Sequence, residues 1–210
     1  MLPYLTVYLA LAVFVCAVIA RVLWWVRQPP HLRWELYPVP HEPAPRGRYG
    51  GSFMEVPEWW RQPRRRTRLG EVVAMAKEIL VLHGVRAHNR PLWRWTFPFH
   101  LGLYLVAAAV GLWVACGIAG AVAPALLGGA LVAVARPVSV ALGAGGFALG
   151  AGGALGLLVR RLTAPELRGY SAPADLFNLA FFVVAFGVGL VTIVLVDPDG
   201  ARALAFAVRL

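Results

Sequence analysis

Four apolar stretches of about 20 residues follow one another along the chain, separated by polar or glycine- and proline-rich segments. Since about 20 apolar residues cross a hydrocarbon core of roughly 30 Å, each stretch predicts a transmembrane helix. The first stretch is not a cleaved signal peptide, because it lacks a basic leading region and is long enough to span. The predicted spans run from about Leu5 to Val26, Phe99 to Ile118, Val138 to Val159 and Leu176 to Val196.

The long polar segment between the first two spans divides into two parts. Gln28 to about Gln62 is rich in proline and predicts an extended strap. Its aromatic residues favour a docking surface over the alternative of simple anchoring at the membrane interface. From Arg68 to Val85 the apolar positions recur with a helical period and predict an amphipathic surface helix with His83 on its apolar face. The aromatic residues of the strap are Trp34, Tyr37, Tyr49, Phe53, Trp59 and Trp60.

These elements predict an all-α, polytopic transmembrane helix bundle in three parts. Residues 1–27 form the first span, residues 28–97 the polar loop with its amphipathic helix, and residues 98–210 a bundle of three spans. An interfacial connection is expected from Gly120 to Arg136. The ten residues after Gly200 are too few to cross a bilayer, so we expect a C-terminus truncated at Leu210.

The third span is dense in glycine. Gly146 with Gly150, and Gly152 with Gly156, have the small-xxx-small spacing that lets helix backbones approach closely. Such an approach serves helix packing, which we favour, or makes room for a flat macrocycle.

Charge sets the expected orientation. The net charge is +10, and thirteen of the twenty basic residues lie between Arg27 and Phe97. We interpret this as the positive-inside rule and not as nucleic-acid binding. The N-terminus is then outside and the long loop inside. Cys16 and Cys116 both fall in spans, which excludes an iron–sulfur motif in this chain.

His100 is the one histidine inside a predicted span, and it follows an aromatic and basic approach segment, Trp93 to Phe99. A buried imidazole needs a hydrogen-bond partner or a metal, and haem iron is the obvious metal in a membrane bundle. Gly102 thins the helix beside it, and Tyr104 adds a polar group one turn deeper on the same face. Both the haem-ligand and the hydrogen-bonded alternatives stay open at this point.

Several segments resemble the gamma-subunit family of respiratory nitrate reductase, and most closely its branch associated with heterodisulfide-reductase-like iron–sulfur proteins. They are His31 to Glu42, Tyr49 to Glu55, Phe97 to Tyr104 and Ser171 to Leu179. The resemblance implies a membrane cytochrome b of five spans that exchanges electrons between quinol and a cytoplasmic iron–sulfur partner. The family's His-x-Gly motif is matched by His100-Leu101-Gly102. His100 would therefore ligate haem b, with Gly102 packing beside it.

Two departures from that family matter. Its second histidine on this helix is replaced by Val110, so one haem, near the cytoplasmic side, is expected. Its fifth helix, which carries the opposing axial ligands, is absent. The second ligand would come from a continuation of the chain or from another subunit.

The leading hypothesis is a cytochrome b-type membrane subunit of a quinol-linked oxidoreductase complex that has no substrate-reducing centre of its own. Tyr104 and Arg94 are candidate quinone or haem contacts, and His83 and Asp175 are further candidates for a quinol site. Asp175 has the simpler use of capping the fourth span. The competing hypothesis is a haem-free anchor for a redox complex. A small transporter is disfavoured, because the spans contain almost no ionisable groups.

Overall fold

The computed structural model describes residues 2–28 and 68–209, and within those ranges every regular element is helical. The predicted all-α fold is confirmed, and four of the described helices are long and apolar enough to cross a membrane. The chain forms two compact units that divide between Ala76 and Lys77. The helices are α1 (Leu2–Val26), α2 (Arg68–Val81), α3 (His83–His88), α4 (Arg90–Val122), α5 (Ala130–Thr163), α6 (Pro173–Val191) and α7 (Ala201–Ala207). The proline-rich strap lies outside the described residues.

Helix α1 ends in a basic and aromatic cluster. The guanidinium carbon of Arg21 lies 5.6 Å from the ring centroids of both Trp24 and Trp25. A cation over an indole face is stabilised by the ring quadrupole, and both residue types favour the membrane interface. This geometry suits an interfacial anchor at the end of α1.

Helices α4 and α5 both extend beyond the predicted spans. Helix α4 begins at Arg90 instead of near Phe99, because the side chain of Asn89 caps its first turn: Oδ1 accepts the Leu92 N–H at 3.1 Å. The predicted boundary at residue 98 therefore falls inside a helix. Helix α5 begins at Ala130, so the predicted interfacial connection shortens to a 3₁₀ turn, Pro124–Gly128.

The predicted amphipathic helix is divided at Leu82. Helix α2 ends at Val81, and Leu82 takes a left-handed conformation with φ of 53°. The Glu78 carboxylate accepts the Gly84 N–H at 2.9 Å, which satisfies a donor at the start of α3. His83 is thus the first residue of a new helix and is exposed. The prediction that it shares the apolar face of one continuous helix was wrong.

Helices α4 and α5 pack through backbone contact. A Cβ atom at Gly102 would collide with the backbone of Gly146 and Gly150. Further along, Gly153 leaves no room for a side chain beside the backbone of Phe99. Small residues at such a contact let two helix backbones approach within van der Waals distance. The glycines of the third span therefore serve helix packing, as we favoured.

One of the predicted glycine pairs is only half correct. Gly156 is covered by the Trp95 indole, but the space around Gly152 is open. The glycines of α5 in backbone contact with α4 are Gly146, Gly150 and Gly153, which follow the i, i+4, i+7 spacing of one helix face.

Helix α6 packs against α5 through contacts between aromatic rings and glycines. Phe186 covers Gly150, and Phe147 of α5 covers Gly189 of α6. One π-helical turn, Thr192–Val196, continues α6. The chain then turns at Gly200, where φ is 72°.

Carboxylates organise the turn into α7. Asp197 accepts the N–H groups of Arg202 and Ala203 at 3.0 and 2.9 Å. Asp199 forms an ion pair with Arg136 of α5 at 2.9 Å. Both contacts fix the start of α7, whose last residue, Ala207, has its carbonyl against Gly117 of α4.

The α4–α5 contact predicts opposite outcomes for two glycines of the same helix. Gly102→Ala forces the helices apart and should cost about 1–3 kcal/mol, as overpacking does. Gly111→Ala, where nothing lies within 4 Å of the added atom, should be neutral or stabilising by up to about 1 kcal/mol. Reversible unfolding in detergent measures both. Equal stability of the two variants would contradict the backbone contact.

Candidate functional site

The imidazole of His100 is held by its own helix. Nδ1 lies 2.8 Å from the carbonyl oxygen of Thr96, one turn earlier. Because a carbonyl oxygen only accepts hydrogen bonds, Nδ1 carries a proton, and the lone pair of a neutral imidazole is then on Nε2. The ring also meets Phe99 edge-on, with centroids 5.4 Å apart. The side chain is thus oriented, with one nitrogen left for a metal or a proton donor.

His100 belongs to an aromatic stripe on α4 that we define by four residues: Trp93, Phe97, His100 and Tyr104. Their spacing of four, three and four residues places them on one helix face. Trp93 and Phe97 stack with centroids 4.8 Å apart. The stripe is therefore an ordered surface with the histidine in its middle.

Both ends of the aromatic stripe bind the last turn of α2. The indole N–H of Trp93 donates to the Val81 carbonyl at 2.8 Å, and the Tyr104 hydroxyl donates to the Ile79 carbonyl at 2.6 Å. The last carbonyls of a helix have no partner inside it, so these two side chains complete the end of α2. His100 lies between the two attachment points along α4.

The opposite face of α4 is closed. Gly102 is two residues from His100, about 200° around the helix, and it contacts the backbone of α5. Phe99 packs against Phe182 of α6, with centroids 5.2 Å apart. Gly102 therefore lies in the helix contact and not beside the imidazole. A flat ligand on His100 would have to lie on the face of the aromatic stripe.

The other predicted site residues are not brought to His100. Arg94 is exposed and lies about 120° around α4 from the histidine. The Asp175 carboxylate accepts the Ala172 N–H at 3.1 Å and the Arg161 guanidinium at 3.2 Å. Its capping use at the start of α6 is thereby confirmed. Tyr104 shares the face of His100, as predicted, but its hydroxyl is committed to Ile79.

No second histidine of the described residues lies in a span. His83 and His88 are exposed in α3, and Nδ1 of His88 lies 2.9 Å from the Gly84 carbonyl. Residues 2–28 and 68–209 contain no group of three or more metal-binding side chains. His31 and His41 lie outside the described residues. The described chain thus offers one axial position, that of His100.

Sequence reasoning missed the attachment of α2 to α4. The signal for the stripe was present in the spacing of Trp93, Phe97, His100 and Tyr104. No pattern indicated that carbonyls of α2 would be the acceptors, because that depends on where the surface helix ends. Reasoning from sequence also did not single out Arg160 of α5, whose Nη1 is buried without a hydrogen-bond partner among the described residues.

Comparison of the chain with protein-family models, with curated proteins and with solved structures finds no match.

Removing the Tyr104 hydroxyl should loosen α2. Tyr104→Phe deletes a hydrogen bond of about 1 kcal/mol, so amide hydrogens in the last turn of α2 should exchange about fivefold faster. Hydrogen-exchange mass spectrometry reads this directly. Tyr170→Phe is the control, since that side chain is 83% exposed. Unchanged exchange in Tyr104→Phe would show that the hydroxyl does not hold α2.

Proposed function

We propose that this chain is a cytochrome b-type membrane subunit of a quinol-linked oxidoreductase complex, with His100 as one axial ligand of haem b. The observation that carries the proposal is the Nδ1 contact to the Thr96 carbonyl at 2.8 Å. Histidines that bind metals usually donate their other ring N–H to a carbonyl or carboxylate, which fixes the tautomer and raises the basicity of the free nitrogen. His100 has this arrangement inside a helix long enough to span.

The residues around His100 fit an axial ligand in orientation and surroundings. The Thr96 carbonyl holds the ring, and Trp93 and Phe97 supply flat apolar surface on the same face. A bound haem would supply one-electron transfer at a potential set by its ligands and by burial. The opposing ligand would come from outside the described residues.

The electron-transfer partners follow from the resemblance to the nitrate reductase gamma-subunit family. They are membrane quinol or quinone and a cytoplasmic iron–sulfur subunit of heterodisulfide-reductase type. The proposed docking surface is the aromatic strap, which lies outside the described residues. The membrane itself is supported by the four apolar helices, and the assignment to a prokaryotic cytoplasmic membrane is part of this proposal.

A haem-free anchor is the second candidate, and one observation favours it. The Thr96 carbonyl already satisfies one nitrogen of the partly buried ring, so a metal is not required to keep His100 in the helix. In that case the aromatic stripe has one role, which is to hold the surface helix α2.

Histidine variants separate the two candidates. In the protein expressed with its partner subunits and haem supply, His100→Ala should abolish the b-type α band in the reduced-minus-oxidised spectrum. His88→Ala is a matched control, because His88 makes the same Nδ1 contact to a carbonyl four residues earlier but lies exposed. His83→Ala and His41→Ala should also keep the band.

A pyridine haemochrome assay gives the stoichiometry, for which we expect about one haem per chain. Haem retained in His100→Ala would overturn the ligand assignment. A complete complex that carries no haem on this chain would establish the anchor.

A further inference from the structure

Arg160 is a cationic side chain that has no counter-ion among residues 2–28 and 68–209. Its Nη1 is enclosed by protein and has no hydrogen-bond partner in the part of the chain that the structure describes. The residue as a whole is only partly buried. A buried donor without an acceptor is costly, and more so when it is charged. An anion from outside the described chain would remove that cost.

The other two arginines of α5 carry their own counter-ions. Arg136 pairs with Asp199 at 2.9 Å, and Arg161 pairs with Asp175 at 3.2 Å. Arg161 also reaches the Ser171 hydroxyl at 3.3 Å. Arg160 is adjacent to Arg161 in sequence, yet no carboxylate of the described residues pairs with it.

The depth of Arg160 matches the lipid headgroups. Along α5, Arg136 and Arg160 are separated by an axial rise of about 36 Å. The hydrocarbon core is roughly 30 Å thick, and the bilayer with its headgroups is about 40–45 Å thick. A span centred between the two arginines therefore places both at the level of the phosphates.

The surroundings of Arg160 are basic and aromatic. The Trp95 indole covers Gly156, one helical turn before Arg160, and an indole at this depth is typical of the membrane interface. Helices α4 and α5 run antiparallel there, so the first turns of α4 lie beside the end of α5. Those turns contribute Arg90 and Arg94, both exposed. The three arginines form one cationic end of the bundle, which the charge distribution predicts to be cytoplasmic.

We propose that Arg160 binds the phosphate of an anionic phospholipid, with Arg90 and Arg94 facing the headgroup. A guanidinium matches a phosphate with two parallel hydrogen bonds. Basic pockets between spans on the cytoplasmic side select anionic headgroups. A lipid is favoured over a protein carboxylate, because the guanidinium lies at phosphate depth, one helical turn outward from an interfacial tryptophan. The proposal is independent of haem.

Native mass spectrometry of the full-length chain, with phosphatidylglycerol or phosphatidylcholine added, tests this site. The wild-type protein should retain phosphatidylglycerol about fivefold better than phosphatidylcholine. Arg160→Gln should lose that preference. Arg160→Lys keeps the charge but not the planar guanidinium with its paired N–H donors, and it should retain part of the preference. Arg202→Gln, at an exposed position of α7, is the matched control and should behave as wild type.

Three results would overturn the proposal. They are equal retention of the two lipids by wild type, an unchanged preference in Arg160→Gln, and protection of Arg160 from phenylglyoxal by a cytoplasmic partner but not by phosphatidylglycerol. The last would identify a protein carboxylate as the ligand. If Arg160→Gln does not fold, the phenylglyoxal measurement on wild type decides alone: protection by phosphatidylglycerol supports the proposal, and no protection overturns it.

Discussion

The backbone contact between α4 and α5 determines how the rest of the described bundle is arranged. Gly102 meets Gly146 and Gly150 without intervening side chains, and this fixes the rotation of α4 about its axis. With Gly102 directed at α5, His100 must lie on the far side of the helix. The packing of Gly102 therefore determines which face of α4 is available to a ligand at His100. In the same way, the contact directs Phe99 towards the phenylalanines of α6.

Polar groups in the apolar helices are satisfied locally, as a membrane demands. The Thr96 hydroxyl donates to the Leu92 carbonyl at 3.0 Å, and Thr192 does the same to Val188 at 2.8 Å. His100 follows the same rule with a ring nitrogen in place of a hydroxyl. Ser139 departs from it, because its buried hydroxyl has no partner within the described residues; nothing in the structure explains this.

The sequence was sufficient to predict the four spans, because length and apolar composition dominate the free energy of placing a helix in a membrane. It was insufficient where a helix boundary or a helix contact depends on residues far apart in the sequence. The first turns of α4 were assigned to the polar loop, because they contain the charged residue Arg94. The break between α2 and α3 at Leu82 depends on the Glu78 carboxylate, which accepts the N–H of Gly84 six residues later. No local sequence pattern predicts such a contact. That Gly153 and not Gly152 contacts α4 depends on the rotation of α5 about its axis, which the sequence does not show. For the site, the position of His100 and its shared face with Tyr104 could be predicted, whereas the carbonyl acceptors could not.

The glycine register also restricts how the length of this chain can change during evolution. Phe99 opposes Gly153 and Gly102 opposes Gly146 and Gly150, so the two helices are matched over more than one turn. One residue inserted between Gly146 and Gly153 would rotate the following glycine by about 100° out of the contact. An insertion in the Pro124–Gly128 turn would leave every opposed pair in place. Related sequences should therefore differ in length at that turn and keep the interval between the contacting glycines constant.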